Sequence, residues 1–192
     1  MANPGTDPNA TADVQIDWGQ TGLLPENLTL EGGTNDIIEH EYPATAHYTV
    51  RVEGELDKIQ EVGVPAPGTN IDVSQLPNLV SFRGLFNDVV TTLDLSGNHQ
   101  LQNLDLLWLY SLTSVTVPSD APYNRVRLDG IPLTTTALDD LIDDIYAGVV
   151  WHDVHNGYFQ YYDLPNALTP ASLDQLESLQ NDFGWTLEPA IP

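Results

Sequence analysis

The 192-residue chain contains no cysteine, one methionine and one lysine, Lys58. Without cysteine no disulfide can staple the fold and no thiolate can hold a metal, so stability must come from packing. No apolar run approaches the roughly 20 residues of a membrane-spanning helix. The opening stretch MANPGTDPNATADV has neither a basic start nor an apolar segment. This predicts synthesis in a cytoplasm without a secretory signal peptide. Positive charge is scarce: 5 Lys and Arg face 28 Asp and Glu, for a net charge of −23. Such a chain repels phosphate and anionic headgroups, so neither nucleic acid nor a membrane is an expected partner. The motifs G-x-S-x-G, H-E-x-x-H, G-x-G-x-x-G, the P-loop and EF-hand spacing are all missing. The sequence therefore assigns no catalytic residue, no metal ligands and no cofactor, and the chain reads as a non-enzyme.

Apolar residues make up 41% of the chain, enough for a globular core in one large domain or two small ones. The acids are spread along the whole length. That distribution favours a soluble surface adapted to salty, halophilic or marine surroundings over a single cation-binding face.

The most informative feature is a repeat. The phrase LDL occurs at 93–95 and again at 104–106, eleven residues later. Stepping by eleven gives Ile71, Phe82, Leu93, Leu104, Val115 and Val126, all apolar. Two residues on stand Val73, Gly84, Leu95, Leu106, Val117 and Leu128, with only the glycine off pattern. Eight residues on stand Leu79, Val90, Leu101, Leu112 and Tyr123. Each unit reads as a short half-buried strand followed by a corner that turns an apolar residue back inward.

Two such steps together fall within the roughly 20 to 29 residues of a leucine-rich-repeat coil. LDLSGN at 93–98 resembles the L-x-L-x-x-N core of that family, and Asn87 has the same offset from Phe82. The half-coil period is similar to the degenerate leucine-rich repeats of bacterial surface and phage proteins. The resemblance implies that Asn98, and by extension Asn87, hydrogen-bonds the backbone of an adjacent coil. Leu76, Leu109 and Asp120 occupy equivalent places and break the asparagine pattern. The expected fold is α+β: a short leucine-rich-repeat-like β-solenoid at 71–133, capped on both sides.

The downstream cap, 134–192, reads as a two-helix unit. TALDDLIDDIYAG carries Leu138, Leu141, Ile142, Ile145 and Tyr146 on one face, with Thr136 as N-cap and Gly148 as the stop. Asp139, Asp140, Asp143 and Asp144 fall on the other face and read as a solvated surface, since calcium sites need a wrapped loop. A second helix starts at Thr169 and Pro170 and stops at Gly184, before a last strand in WTLE.

Upstream, 13–62 reads as a β-module with strands in VQIDW, NLTL, DIIEHEY and HYTVRVEG. Asp17, Trp18 and Gly19, then His40 and Tyr42, then Tyr48, Thr49, Val50, Val52 and Gly54 resemble the PKD-like β-sandwich family. The chain departs from that family at Gln20 and Thr21. Residues 63–70 read as a linker. Residues 1–12, rich in Pro, Gly, Asn and Thr, read as an N-terminal arm that is disordered alone and suited to docking on a neighbour.

For chemistry, His152, Asp153 and His155 in WHDVH read as exposed loop residues, because no third zinc ligand accompanies the two histidines. His40 and His47 read as structural. Aromatics mark the better surface candidates: Trp108 and Tyr110 at a repeat corner, and Trp151, Tyr158 and Tyr162 before the last helix. Alternation buries either Phe159 and Tyr161 or Tyr158 and Tyr162, as a set. Modules typical of the cell exterior in a chain without a signal suggest a virion. The expected role is a capsid decoration or tail-associated protein of a phage or archaeal virus. It would bind other virion proteins in a capsid or tail shell, within a homo- or hetero-oligomeric assembly. The alternative is an adhesion module that binds a host-surface glycan or receptor.

Overall fold

A computed structural model describes residues 2–34, 37–44, 46–64 and 69–190. In chain order its strands are β1 (Ala2–Asn3), β2 (Thr11–Asp17), β3 (Glu26–Glu31), β4 (Arg51–Gly54), β5 (Glu61–Val64), β6 (Ser81–Leu85), β7 (Thr92–Asp94), β8 (Asn103–Leu107), β9 (Ser114–Thr116), β10 (Arg125–Asp129), β11 (Tyr158–Gln160) and β12 (Thr186–Glu188). Helix α1 (Thr135–His152) lies between β10 and β11, and α2 (Pro170–Phe183) between β11 and β12. The protein is α+β. Its described strands form a mixed seven-stranded sheet, a three-stranded antiparallel sheet and a two-stranded parallel ladder, with no closed barrel among them.

The pairing register follows the repeat. Phe82 lies opposite Leu104, which lies opposite Val126, so the large sheet gains a strand at every second eleven-residue step. The intervening units pair in a second ladder: Leu93 opposite Val115, with Asp72 bridging Asp94. Successive steps therefore alternate between two parallel ladders. Phe82, Leu93, Leu104 and Val126 are buried in one core together with Leu95 and Leu106, and Ile71 and Val115 pack against it half-buried. Ile71 itself precedes the bridge and lies in no strand. The off-pattern Gly84 has its reason in packing: a Cβ there would stand 3.1 Å from Leu109 Cδ1 and 3.4 Å from the Phe82 ring.

The corner residues are buried too. Asn98 Nδ2 donates to the carbonyls of Val73 at 3.2 Å and Leu76 at 2.9 Å, in the segment two repeat steps earlier. Asn87 is buried, and its Oδ1 accepts from the backbone N–H of Val89 and Val90, both at 2.8 Å, within its own corner.

After β10 the helices take the place of the second ladder. Leu138, Leu141, Ile142, Ile145 and Val149 of α1 enter the same core, and α1 lies beside β9. The start and end of α1 differ from expectation. Thr134, not Thr136, is the N-cap, its Oγ1 accepting from the Ala137 N–H at 3.2 Å. Gly148 does not end the helix. It is buried inside it, where a Cβ would lie 2.3 Å from the Ala121 carbonyl oxygen. The helix continues to His152 and stops at Asp153 in the left-handed conformation. The acidic face is also less solvated than expected: Asp139 accepts from Thr169 Oγ1 and Ser172 Oγ, and Asp143 from Gln175 Nε2, so two of the four aspartates tie α1 to α2. Helix α2 keeps the caps read from sequence, Thr169 at its start and Gly184 in the left-handed conformation at its end.

The N-terminal sheet has the order β3-β2-β4 and packs Ala12, Val14, Ile16, Trp18 and Leu30 against Ile59. Residues 37–42 and 47–50 form no strand, so IIEHEY and HYTV are irregular; Asp36 lies outside the described residues. Side-chain stacking substitutes for pairing there. Trp18 stacks on His40 at 4.8 Å, Tyr42 stacks on Tyr48 at 3.9 Å, and the Tyr42 hydroxyl donates to the Trp18 carbonyl at 3.0 Å. At Gln20 the amide Oε1 lies 3.0 Å from His40 Nε2.

Two segments read as arm and linker contribute strands to the large sheet. Ala2 and Asn3 pair antiparallel with β5, and Gly63 and Val64 belong to β5 itself, which runs parallel to β6. The arm is therefore held by its own chain. The linker residues 65–68 lie outside the described residues.

Candidate binding surface

Because side chains alternate along a strand, burying Phe82, Leu104 and Val126 sends their neighbours to the outer face of the large sheet. The register aligns those neighbours in rows. One row runs Ser81, Asn103, Arg125, Tyr158 and Thr186; the next runs Arg83, Asp105, Arg127, Gln160 and Glu188. A third, shorter row holds Leu85, Leu107 and Asp129. Three of the chain's five basic residues thus stand on one sheet face.

These arginines converge on one carboxylate. Asp105 Oδ2 lies 3.2 Å from Arg125 Nη1, 3.7 Å from Arg83 Nε and 3.8 Å from Arg127 Nη1. Asp105 is buried, and its Oδ1 accepts no hydrogen bond among the described residues. Arg127 extends the network: its Nε donates to Gln160 Oε1 at 3.2 Å, and Gln160 Nε2 donates to Asp129 Oδ2. The Tyr158 hydroxyl donates to Glu188 Oε2 at 2.7 Å and lies 2.8 Å from Gln160 Oε1. Burial, then the hydrogen bond to Glu188, pushes the Tyr158 phenol up to about 12, so it remains a donor at neutral pH.

At the C-terminal ends of the strands the chain makes a rim. Phe86, Trp108 and Gly130 follow one another at two repeat steps, and all have positive φ, at 52°, 55° and 61°. Bulky side chains rarely adopt this conformation, which costs of order 1 kcal/mol or more each. Phe86 and Trp108 stack at 4.6 Å, and Phe86 is 60% exposed. A Cβ at Gly130 would meet Trp108 Cδ1 at 2.8 Å, so the third position must be glycine for the indole to lie there.

The aromatic candidates do not form one surface. Trp108 and the Tyr162 backbone flank Gly130 on the rim, where the Gly130 N–H donates to the Tyr162 carbonyl. Tyr158 stands on the outer face, with Phe159 buried and Tyr161 packed on the core. Tyr110 is exposed beyond the rim. Trp151 is 77% exposed near the end of α1. The adjacent His152 Nε2 lies 2.7 Å from the carbonyl of Asp120, in the loop leading into β10, so Trp151 is at the opposite end of the strands from Trp108. His152 is helical, and His155 Nε2 lies 3.1 Å from Asp153 Oδ1. Among the described residues no three His, Asp or Glu are grouped to hold a metal, and no helix is long and apolar enough to cross a membrane.

Reading the sequence for apolar positions passed over Arg83, Asp105, Arg125, Arg127, Asp129 and Gln160. A signal was available: two steps of eleven from Arg83 reach Asp105, and two more reach Arg127. Compared with known proteins, the chain matches no family model, no curated protein and no solved structure.

Proposed function

We propose that the chain is a non-enzymatic binding protein that acts through the outer face of its large sheet, and that its setting is a virion. In this reading residues 71–133 are a short leucine-rich-repeat-like solenoid. A PKD-like module caps it on one side and the two-helix unit on the other. The regular register in both ladders and the Asn98 bonds to Val73 and Leu76 support the solenoid. The observation that carries the binding role is the set of three arginines aligned on an open face in a chain of net charge −23. Positive groups so scarce and so concentrated mark where an acidic partner meets an acidic protein. Assembly as a capsid-decoration or tail-associated protein rests on the acid-rich composition and on the likeness of the repeat to those of phage proteins. Mass spectrometry of purified virions tests it: the chain is expected among virion proteins, and its absence there overturns the setting.

A second reading, glycan or receptor adhesion, is favoured by the strained Phe86–Trp108 stack, since a flat exposed aromatic face suits a sugar ring. Glycan-array binding lost in a Phe86→Ala, Trp108→Ala variant is the expected result for this reading; unchanged binding removes it.

A further inference from the structure

We propose that Arg83, Arg125 and Arg127 form a seat for one carboxylate, supplied by an Asp or Glu side chain of a partner protein. The proposal rests on the reading of the sheet face as a protein-binding surface and specifies its chemistry. Three guanidinium groups approach a single oxygen, Asp105 Oδ2, and only Arg125 at 3.2 Å is within good hydrogen-bonding range. A carboxylate satisfies arginine best through two parallel N–H···O bonds, and none of the three makes such a pair with Asp105. The Arg83 guanidinium donates no hydrogen bond among the described residues, and that of Arg127 spends only its Nε, on Gln160. Most of the donors of the three forks are therefore available, and their side chains are 24–39% exposed, reachable yet partly shielded from water.

The charge balance of the face narrows the ligand. Three guanidinium groups stand among the carboxylates of Asp105 and Asp129, with those of Glu61 and Glu188 at the margins. The face is therefore not net positive, and it suits a single carboxylate held by the available N–H donors. A polyanion, such as a nucleic acid or a sulfated polymer, would meet the field of the whole acidic chain. The next row offers the half-buried Leu85, and the rim beyond it the Phe86–Trp108 stack. A carboxylate beside an apolar side chain is the chemistry of a protein segment, and arginine with aromatics is the usual composition of a protein hot spot.

The test is a titration of the full chain at low salt, following the arginine Nε–Hε NMR signals. The probe is N-acetyl-leucyl-glutamyl amide, with sulfate and N-acetylneuraminate as competing chemistries. Saturable shifts at Arg83, Arg125 and Arg127, with none at Arg51, are expected. Arg83→Gln, which removes only a 3.7 Å approach and should fold as the parent does, is expected to weaken dipeptide binding about tenfold. No saturable shift in the parent, or unchanged affinity in Arg83→Gln, overturns the seat. Tighter binding of sulfate overturns the monoanion choice, and tighter binding of N-acetylneuraminate overturns the protein source. A chain found in virions whose arginines ignore the dipeptide loses the seat and keeps the virion setting. A chain absent from virions whose arginines take the dipeptide does the reverse.

Discussion

In the large sheet, β6, β8 and β10 find their partners two repeat steps along the chain, and Phe82, Leu104, Leu106, Val126 and Leu128 enter one core from them. In the N-terminal sheet, β2 pairs with β3 across a short turn, and six buried residues make up its own core. The parallel region is held by burial repeated at a fixed period. The antiparallel region has little to bury and relies on stacked rings, Trp18 on His40 and Tyr42 on Tyr48. The two meet at Val62 and Leu76, which pack against both cores. The difference shows how each region should fail: the first cooperatively, the second locally.

The largest expected effect is in the parallel core. Leu104→Ala should cost about 3 kcal/mol or more, seen as one shifted transition in urea denaturation, because the cavity lies where three strands meet. A loss under about 1 kcal/mol would mean that the core is not continuous. Asn98→Ala comes next, at about 2 kcal/mol, since it removes two buried hydrogen bonds, to the Val73 and Leu76 carbonyls, each of which keeps only its backbone donor. Tyr42→Phe should cost about 1 kcal/mol by removing the bond to the Trp18 carbonyl. Its effect should be confined to the N-terminal module, visible in near-UV circular dichroism. Lost amide protection in β8 would break the proposed separation of the two regions.

The smallest effect concerns charge. Burial, then the neighbouring charges of Asp140 and Asp143, raises the Asp144 carboxyl above its ordinary value of 3.8. Its charged form is thus disfavoured by folding. The penalty is absent below the unfolded pKa and grows as pH rises through the folded one. Asp144→Asn should raise Tm slightly at pH 7 in low salt and leave it unchanged at pH 3. The parent's Tm should also rise toward about 1 M salt, where screening shortens to ~3 Å.

Much of the parallel region was legible in the sequence because burial on one face forces a fixed period on the apolar residues. Leu93, Leu104 and Val126 are found by stepping along the chain. Strand β5 was not legible: EVGV is short, interrupted by Gly63, and its partner is set by sheet position alone. The end of α1 was misread because Gly148 has the signature of a stop, while its role is to let the helix approach Ala121 and Tyr123. The arginine rows escaped notice because their meaning depends on register. Arg83, Asp105 and Arg127 share the spacing of the core positions, but they become neighbours on one face only when alternate repeat strands are laid side by side.

The order of strands in space has a consequence for biosynthesis. From β5 onward the sheet order, β5-β6-β8-β10-β11-β12, is the order of the chain. Each strand leaving the ribosome meets a finished edge on its predecessor, and none has to be threaded between two already paired. β1, made before the others, closes the edge of β5 as soon as β5 emerges. The sheet can be laid down at the pace of translation, with one open edge at a time, which limits the time during which an unpaired strand is available to another nascent chain.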